Sequence, residues 1–148
     1  MILYKMSQMR VVLDTSIVVA ALRSRRGASH RLLELVAHGK VRPLVSTALF
    51  LEYEDVLMRP ETRLAIKMDA ANVEGFLAAF ASAAEGVEVN FRWRPQLTDP
   101  NDELVLEAAV NGAASALVTH NVRDFREAAP RFGLRVLLPR DVLKELEP

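Results

Sequence analysis

The sequence predicts an α/β fold, a three-layer α/β/α sandwich around a mostly parallel central sheet, with a helical clip around residues 60–84. Three observations carry this expectation. Short apolar, β-branched runs alternate with segments of helical period. No hairpin turn signal joins any two strand candidates, as expected where parallel strands are linked by helical crossovers. Residues 60–84 are helix-forming throughout and carry no strand pattern until "VEV" at Val87.

The elements follow in order. "RVVL" (10–13) reads as a short buried strand and "TSIVVAALR" (15–23) as a helix entered through Thr15 or Ser16, both good N-cap types. "SHRLLELVAHG" is a second helix stopped by Gly39. "VRPLVS" then supplies a strand, and Ser46 or Thr47 caps "ALFLEYEDVLM". Asp69 starts "AANVEGFLAAFASAA", while "TDPNDELVLEAAVNG" has Asp99 as N-cap, Pro100 in the first turn and Gly112 as its stop. "SALVTHN" is a strand, "VRDFREAA" a short helix, "LRVLL" the last strand and "PRDVLKEL" the last helix.

The 148 residues suit one domain, residues 9–148, preceded by an N-terminal extension at 1–8 that lacks the apolar core of a secretory signal. Hydrophobic residues make up 51% and charged ones 26%, a globular composition with no apolar run long enough for a membrane span. Net charge is zero, which argues against the strongly basic surface of a duplex-DNA binder. Nucleic-acid contacts must then be local, through arginine clusters such as those containing Arg23 and Arg123, each of which also reads as a solvated face. The absence of cysteine excludes disulfides and thiolate zinc and fits a cytoplasmic chain; His30, His38 and His120 have no ligand spacing. Glycine-rich nucleotide motifs and the GxSxG elbow are missing.

"VVLDTSIVVA" sets Asp14 between two apolar runs, where an uncompensated carboxylate costs several kcal/mol. Asp14, Glu52, the pair Asp99 and Asp102, and Asp124 all fall near a helix start or a strand end. Each has a plain alternative: Asp14 and Asp99 as N-caps, Asp102 as a helix-dipole partner, Asp124 as a solvated turn residue. Helical periodicity cannot choose between Glu52 and Glu54, which flank the apolar face of their helix. Together, however, these acids converge at the carboxyl ends of a parallel sheet, where open α/β folds place their sites. Two carboxylates about 4 Å apart repel by about 4 kcal/mol at an effective dielectric near 20, so the set needs a cation. Oxygen-only donors point to Mg²⁺ or Mn²⁺, and such an ion suits phosphodiester cleavage by activated water.

In order and spacing, "VVLDTSIVVAAL", "VSTALFLEYEDVL", "DPNDELVLEAAVNGAASALVTHNVRDF" and "GLRVLLP" resemble the PIN-domain family over about residues 10–143, and within it the VapC-type ribonuclease toxins of toxin-antitoxin systems. The resemblance implies catalytic and metal-holding roles for Asp14, Glu52, Asp102 and Asp124, choosing Glu52 over Glu54. It implies auxiliary roles for Ser16, Asp99, Thr119 and Asn121, and the clustered Arg23 and Arg123 are the candidates for RNA contacts. Asn121 stands where many relatives carry Asp, which removes one negative charge and favours one metal over two. An Mg²⁺- or Mn²⁺-dependent endoribonuclease acting on single-stranded or structured RNA is implied, with a small antitoxin protein as partner, a homodimeric state and a cytoplasmic setting. Two other readings compete: an inactive PIN-like RNA-binding or protein-interaction module, and a phospho-acceptor receiver domain. The receiver calls for paired acids after the first strand and a late lysine, where this chain has "DTS" and "THN".

Overall fold

The computed structural model describes residues 8–92, 94 and 96–147. Most of the expected extension, residues 1–7, therefore lies outside the described residues. Five strands, β1 (Met9–Leu13), β2 (Val41–Val45), β3 (Glu85–Gly86), β4 (Ala116–Val118) and β5 (Arg135–Leu137), form one sheet in the order β3-β2-β1-β4-β5. Every pairing is parallel, with Val11 opposite both Pro43 and Ala116. The expected "mostly parallel" sheet is thus wholly parallel. Val11, Val12 and Leu13 are all 0% exposed, as expected for a central parallel strand covered on both faces.

The helices fall close to where the periodicity puts them: α1 (Thr15–Arg23), α2 (Ala28–Ala37), α3 (Thr47–Met58), α4 (Pro60–Ile66), α5 (Ala70–Ala83), α6 (Pro100–Asn111), α7 (Val122–Phe125) and α8 (Pro139–Leu146). Ser46, not Thr47, caps α3, its side chain accepting from the Leu49 N–H at 3.1 Å. Asp69 and Asn72 form a reciprocal capping box at the start of α5. The helical clip is α4 plus α5, and it joins the core through Ile66, Val73, Leu77 and Phe80.

One local expectation is corrected. The third strand is Glu85–Gly86 rather than "VEV", although the Val87 N–H still reaches the Val45 carbonyl at 2.9 Å. Gly112 ends α6 as expected, and close packing requires glycine there. A Cβ there would stand 2.9 Å from both the Ala108 carbonyl oxygen and the Val87 side chain, and it is Ala113 that takes a positive φ of 51°. Right-handed crossovers place helices on both faces, because the chain runs from β1 to β3 in one direction and then crosses back to β4 and β5. The order reverses between β1 and β4, leaving a crevice beyond their carboxyl ends.

Candidate functional site

Asp14 follows β1 and Thr119 follows β4, so the two residues flank that crevice. Asp14 occupies the N-cap position of α1, yet its side chain makes no capping bond. Instead its Oδ2 accepts from Thr119 Oγ1 at 2.7 Å and from Ser16 Oγ at 3.1 Å. Both sequence-level cap readings fail here for one reason. Thr15 and Ser16 lie inside the first turn, and the carboxylate is held by hydroxyls rather than by the helix N–H groups. Asp14 is 7% exposed and Thr119 fully buried. Two hydroxyl donors on one oxygen compensate part of the buried charge and fix its direction. Thr119 also accepts from the Asn121 N–H at 3.0 Å, tying the next loop to the same point.

The second strand of acids comes from α6. Asp99 is its N-cap, accepting from the Asn101 N–H at 2.8 Å, so the capping reading holds for this residue. Asp102, half-buried in the first turn, has no counter-ion among the described residues. Its carboxyl is pushed up to about 6, by burial first and then by the charges of Asp14, Asp99, Asp124 and Glu103. Asp124, exposed on α7, lines with Asp99 and Asp102 a cleft of about 760 Å³ whose wall also includes Arg123, Arg126 and Glu127.

Glu52, half-buried on α3, is held above the usual carboxylate range by burial, then by Asp55, with Asp99 and Asp14 adding to the effect. Glu54 is exposed and lines a separate groove with Asp55 and Glu74. Between the two, buried Tyr53 donates its hydroxyl to the Leu13 carbonyl and packs edge-on against Phe80, with ring centroids 5.6 Å apart. Burial and the nearby Asp14 charge push that phenol up strongly. This anchor fastens α3 to the end of β1 and sets Glu52 within the field of Asp14.

The structure therefore brings Asp14, Glu52, Asp99, Asp102 and Asp124 into one electrostatic neighbourhood, with Ser16, Thr119 and the Asn121 backbone bound to its centre. Arg123 shares the cleft; Arg23 does not, standing at the other end of α1 in a basic groove with Arg25, His30 and Lys67. The Asn121 side chain is exposed and makes no capping bond.

The donor set fits a hard divalent cation in its chemistry, being all oxygen, negatively charged and mutually repelling. Among the described residues no group of three His, Cys, Asp or Glu side chains is spaced to hold one ion. Mg²⁺ typically takes one or two carboxylates and keeps several waters, a mode that calls for no group of three.

Sequence reasoning missed a second set of polar residues on α6. Glu103 and Glu107 are 4% and 6% exposed. Glu103 accepts from the Gln96 and Leu97 N–H groups at 2.6 and 2.7 Å, and Glu107 takes a bidentate pair from Arg94 at 2.7 Å. Asn111 accepts from the Asn90 and Phe91 N–H groups at 3.1 and 3.0 Å. Their i, i+4, i+8 spacing in "ELVLEAAVN" was the available signal: three polar residues on one stripe of an otherwise apolar helix. They hold down the loop that carries Gln96 and Leu97 to the cleft wall.

Comparison with known proteins bears on the family and the fold. The model of the PIN domain family matches residues 10–123, about three quarters of the chain. No curated protein matches. Among solved structures, the chain is similar to a chain in the crystal structure of VapBC2 from Rickettsia felis bound to a DNA fragment from their promoter. The TM-score is 0.58 and the identity 20%, over 88% of this chain and 98% of that one. At that identity the likeness speaks for the fold.

Proposed function

This chain belongs to the PIN-domain family, and from that premise we propose that it is a divalent-metal-dependent endoribonuclease, the toxin of a toxin-antitoxin pair. The observation that carries the reading is Asp14, a buried carboxylate at the sheet's reversal point, oriented by Thr119 and Ser16 and close enough for its charge to raise the Asp102 carboxyl. Asp14 and Asp102 are the residues that would hold Mg²⁺ or Mn²⁺, with Glu52 and Asp124 at its periphery. Bound there, the ion supplies positive charge against a phosphodiester and makes water nucleophilic near neutral pH. The chain's own part is orientation and charge. Thr119 and Ser16 keep Asp14 from turning toward the helix N–H groups, Asp99 and Asp124 add to the negative field, and Arg123 meets the RNA phosphates in the cleft. A small antitoxin protein as partner and a homodimeric, cytoplasmic state belong to the same proposal. The structural neighbour's description as VapBC2 bound to promoter DNA supports the antitoxin partner.

A second reading, an inactive PIN-like module that binds RNA or a protein partner, draws on the open spacing of the acids. The deciding experiment incubates purified protein with a structured RNA in Mn²⁺, Mg²⁺ or EDTA. The proposal expects cuts with either ion and none in EDTA. Undiminished cleavage in EDTA overturns the mechanism, and intact RNA in all three favours the inactive module.

A further inference from the structure

Each of Asp14's two hydroxyl donors has a near neighbour in the chain that lines a second cavity. Ser16 lies one helical turn before Ala20, and Thr119 immediately precedes His120. Ala20 and His120 line a pocket of about 340 Å³, together with Gly27, Ser29, Pro139 and Arg140. That volume is at the lower end of the range for small-ligand sites, about 300–1,000 Å³. No acidic residue lines it, in contrast to the cleft that holds Asp99, Asp102, Asp124 and Glu127.

Three features define what fits. The α1–α2 side is built of small residues, Ala20 and Gly27, which leave room for a flat group. Ser29 is 4% exposed, and among the described residues its hydroxyl meets His120 Nε2 in a long 3.4 Å contact. His120 is itself exposed, so a ligand edge can replace either partner of that weak bond. Arg140 is exposed and has no ion pair among the described residues, so the lining carries a positive charge and no negative one. A flat, neutral heterocycle carrying a phosphate satisfies all three.

Resting on the ribonuclease reading above, we infer that this pocket receives the nucleobase of a nucleotide adjoining the scissile phosphate. His120 stacks on the base, the Ser29 hydroxyl meets its edge, and Arg140 meets the flanking phosphate. Unpaired bases splayed from single-stranded RNA are recognised by stacking and by hydrogen bonds to their edges. The acids select the bond to be cut, and the pocket selects which base lies beside it.

The test uses a ladder of single-stranded RNA oligonucleotides in which one abasic residue steps past a mapped cut site. Wild type, His120→Ala and Ala20→Leu are each measured for kcat/KM in Mn²⁺ and for binding by fluorescence anisotropy. Ala20→Leu fills the pocket. His120→Ala changes an exposed side chain and so keeps the test open if the first variant folds poorly. One abasic position beside the cut should lower wild-type kcat/KM roughly tenfold or more, mainly through KM. Both variants should lose a similar factor on intact RNA and nothing further at that position. Multiplicative losses, or variants that handle intact RNA like wild type, overturn the pocket while leaving the nuclease reading in place. Should wild type cut no RNA, that reading fails and the anisotropy ladder judges the pocket alone: a dip at one position that Ala20→Leu abolishes supports it, and a flat ladder refutes it. A change in dimerisation by Ala20→Leu with an unchanged ladder assigns the pocket to a second copy of the chain and also refutes it.

Discussion

Asp102 and Glu103 are sequence neighbours on α6, yet they live in opposite regimes. Glu103, with Glu107 and Asn111 along the same stripe, faces the chain at Asn90, Phe91, Arg94, Gln96 and Leu97 and is more deeply buried, but its carboxylate accepts two backbone N–H groups and Glu107 pairs with Arg94. Asp102 lines the acidic cleft, is only half-buried, and has no ion-pair partner among the described residues, the charges that shift it being those of other acids. Burial therefore does not mark the site; uncompensated charge does. A buried acid with donors is a structural fastener, whereas an acid among acids is a place where a cation stabilises the fold.

Substitutions should separate the two regimes, and the largest effect belongs to the crevice. Asp14→Asn should abolish metal-dependent cleavage, a loss beyond roughly 100-fold in kcat, because even the outer partners of metal ligands are typically worth 10–100-fold. Thr119→Val should fall within that 10–100-fold range and also cost about 1–3 kcal/mol in denaturant unfolding, since it leaves Asp14 Oδ2 and the Asn121 N–H each short of a buried partner. The fastener predicts the reverse balance. Glu103→Ala should cost about 1–3 kcal/mol of stability while the folded fraction cleaves RNA within a few-fold of wild type. A Glu103→Ala protein that is stable but inactive would erase the distinction between the two regimes. The smallest effect is expected from Asn121→Asp. Its exposed side chain should tighten Mn²⁺ binding by only about 1 kcal/mol or less in calorimetry.

Elements with a clear period were legible in the sequence. Val11 to Leu13 read as a buried strand because parallel central strands are apolar on both faces, and α3, α5 and α6 announced themselves by caps and stops. β3 was misplaced because two residues carry no alternation, and the register with Leu44 and Val45, not the local sequence, makes Glu85–Gly86 a strand. At the site, each carboxylate could be named by its place at a helix start or strand end, but its partners could not. That Asp14 answers to Thr119, 105 positions away, follows only from the pairing of β1 with β4. Likewise Arg23 and Arg123 looked equivalent as local charge clusters, and only the length of α1 sends Arg23 to the far end.

The raised Asp102 carboxyl gives the central claim its most direct measurement. Its folded-state value, about 6, lies above the ordinary 3.8, so the folded form takes up the proton more readily. The resulting stability is complete below the ordinary value and is lost as pH rises through about 6. Asp102→Asn should therefore be more stable than wild type in EDTA at pH 7.5, by about 1 kcal/mol once solvent screening of this half-exposed group is allowed for. Melting temperatures of the two proteins, in EDTA and in millimolar Mn²⁺, test both halves together. Wild type should start lower and rise by several degrees with the ion through preferential binding to the folded state, while the variant starts higher and barely moves. If Mn²⁺ shifts neither protein, or both alike, the acids beyond β1 and β4 are not a cation site.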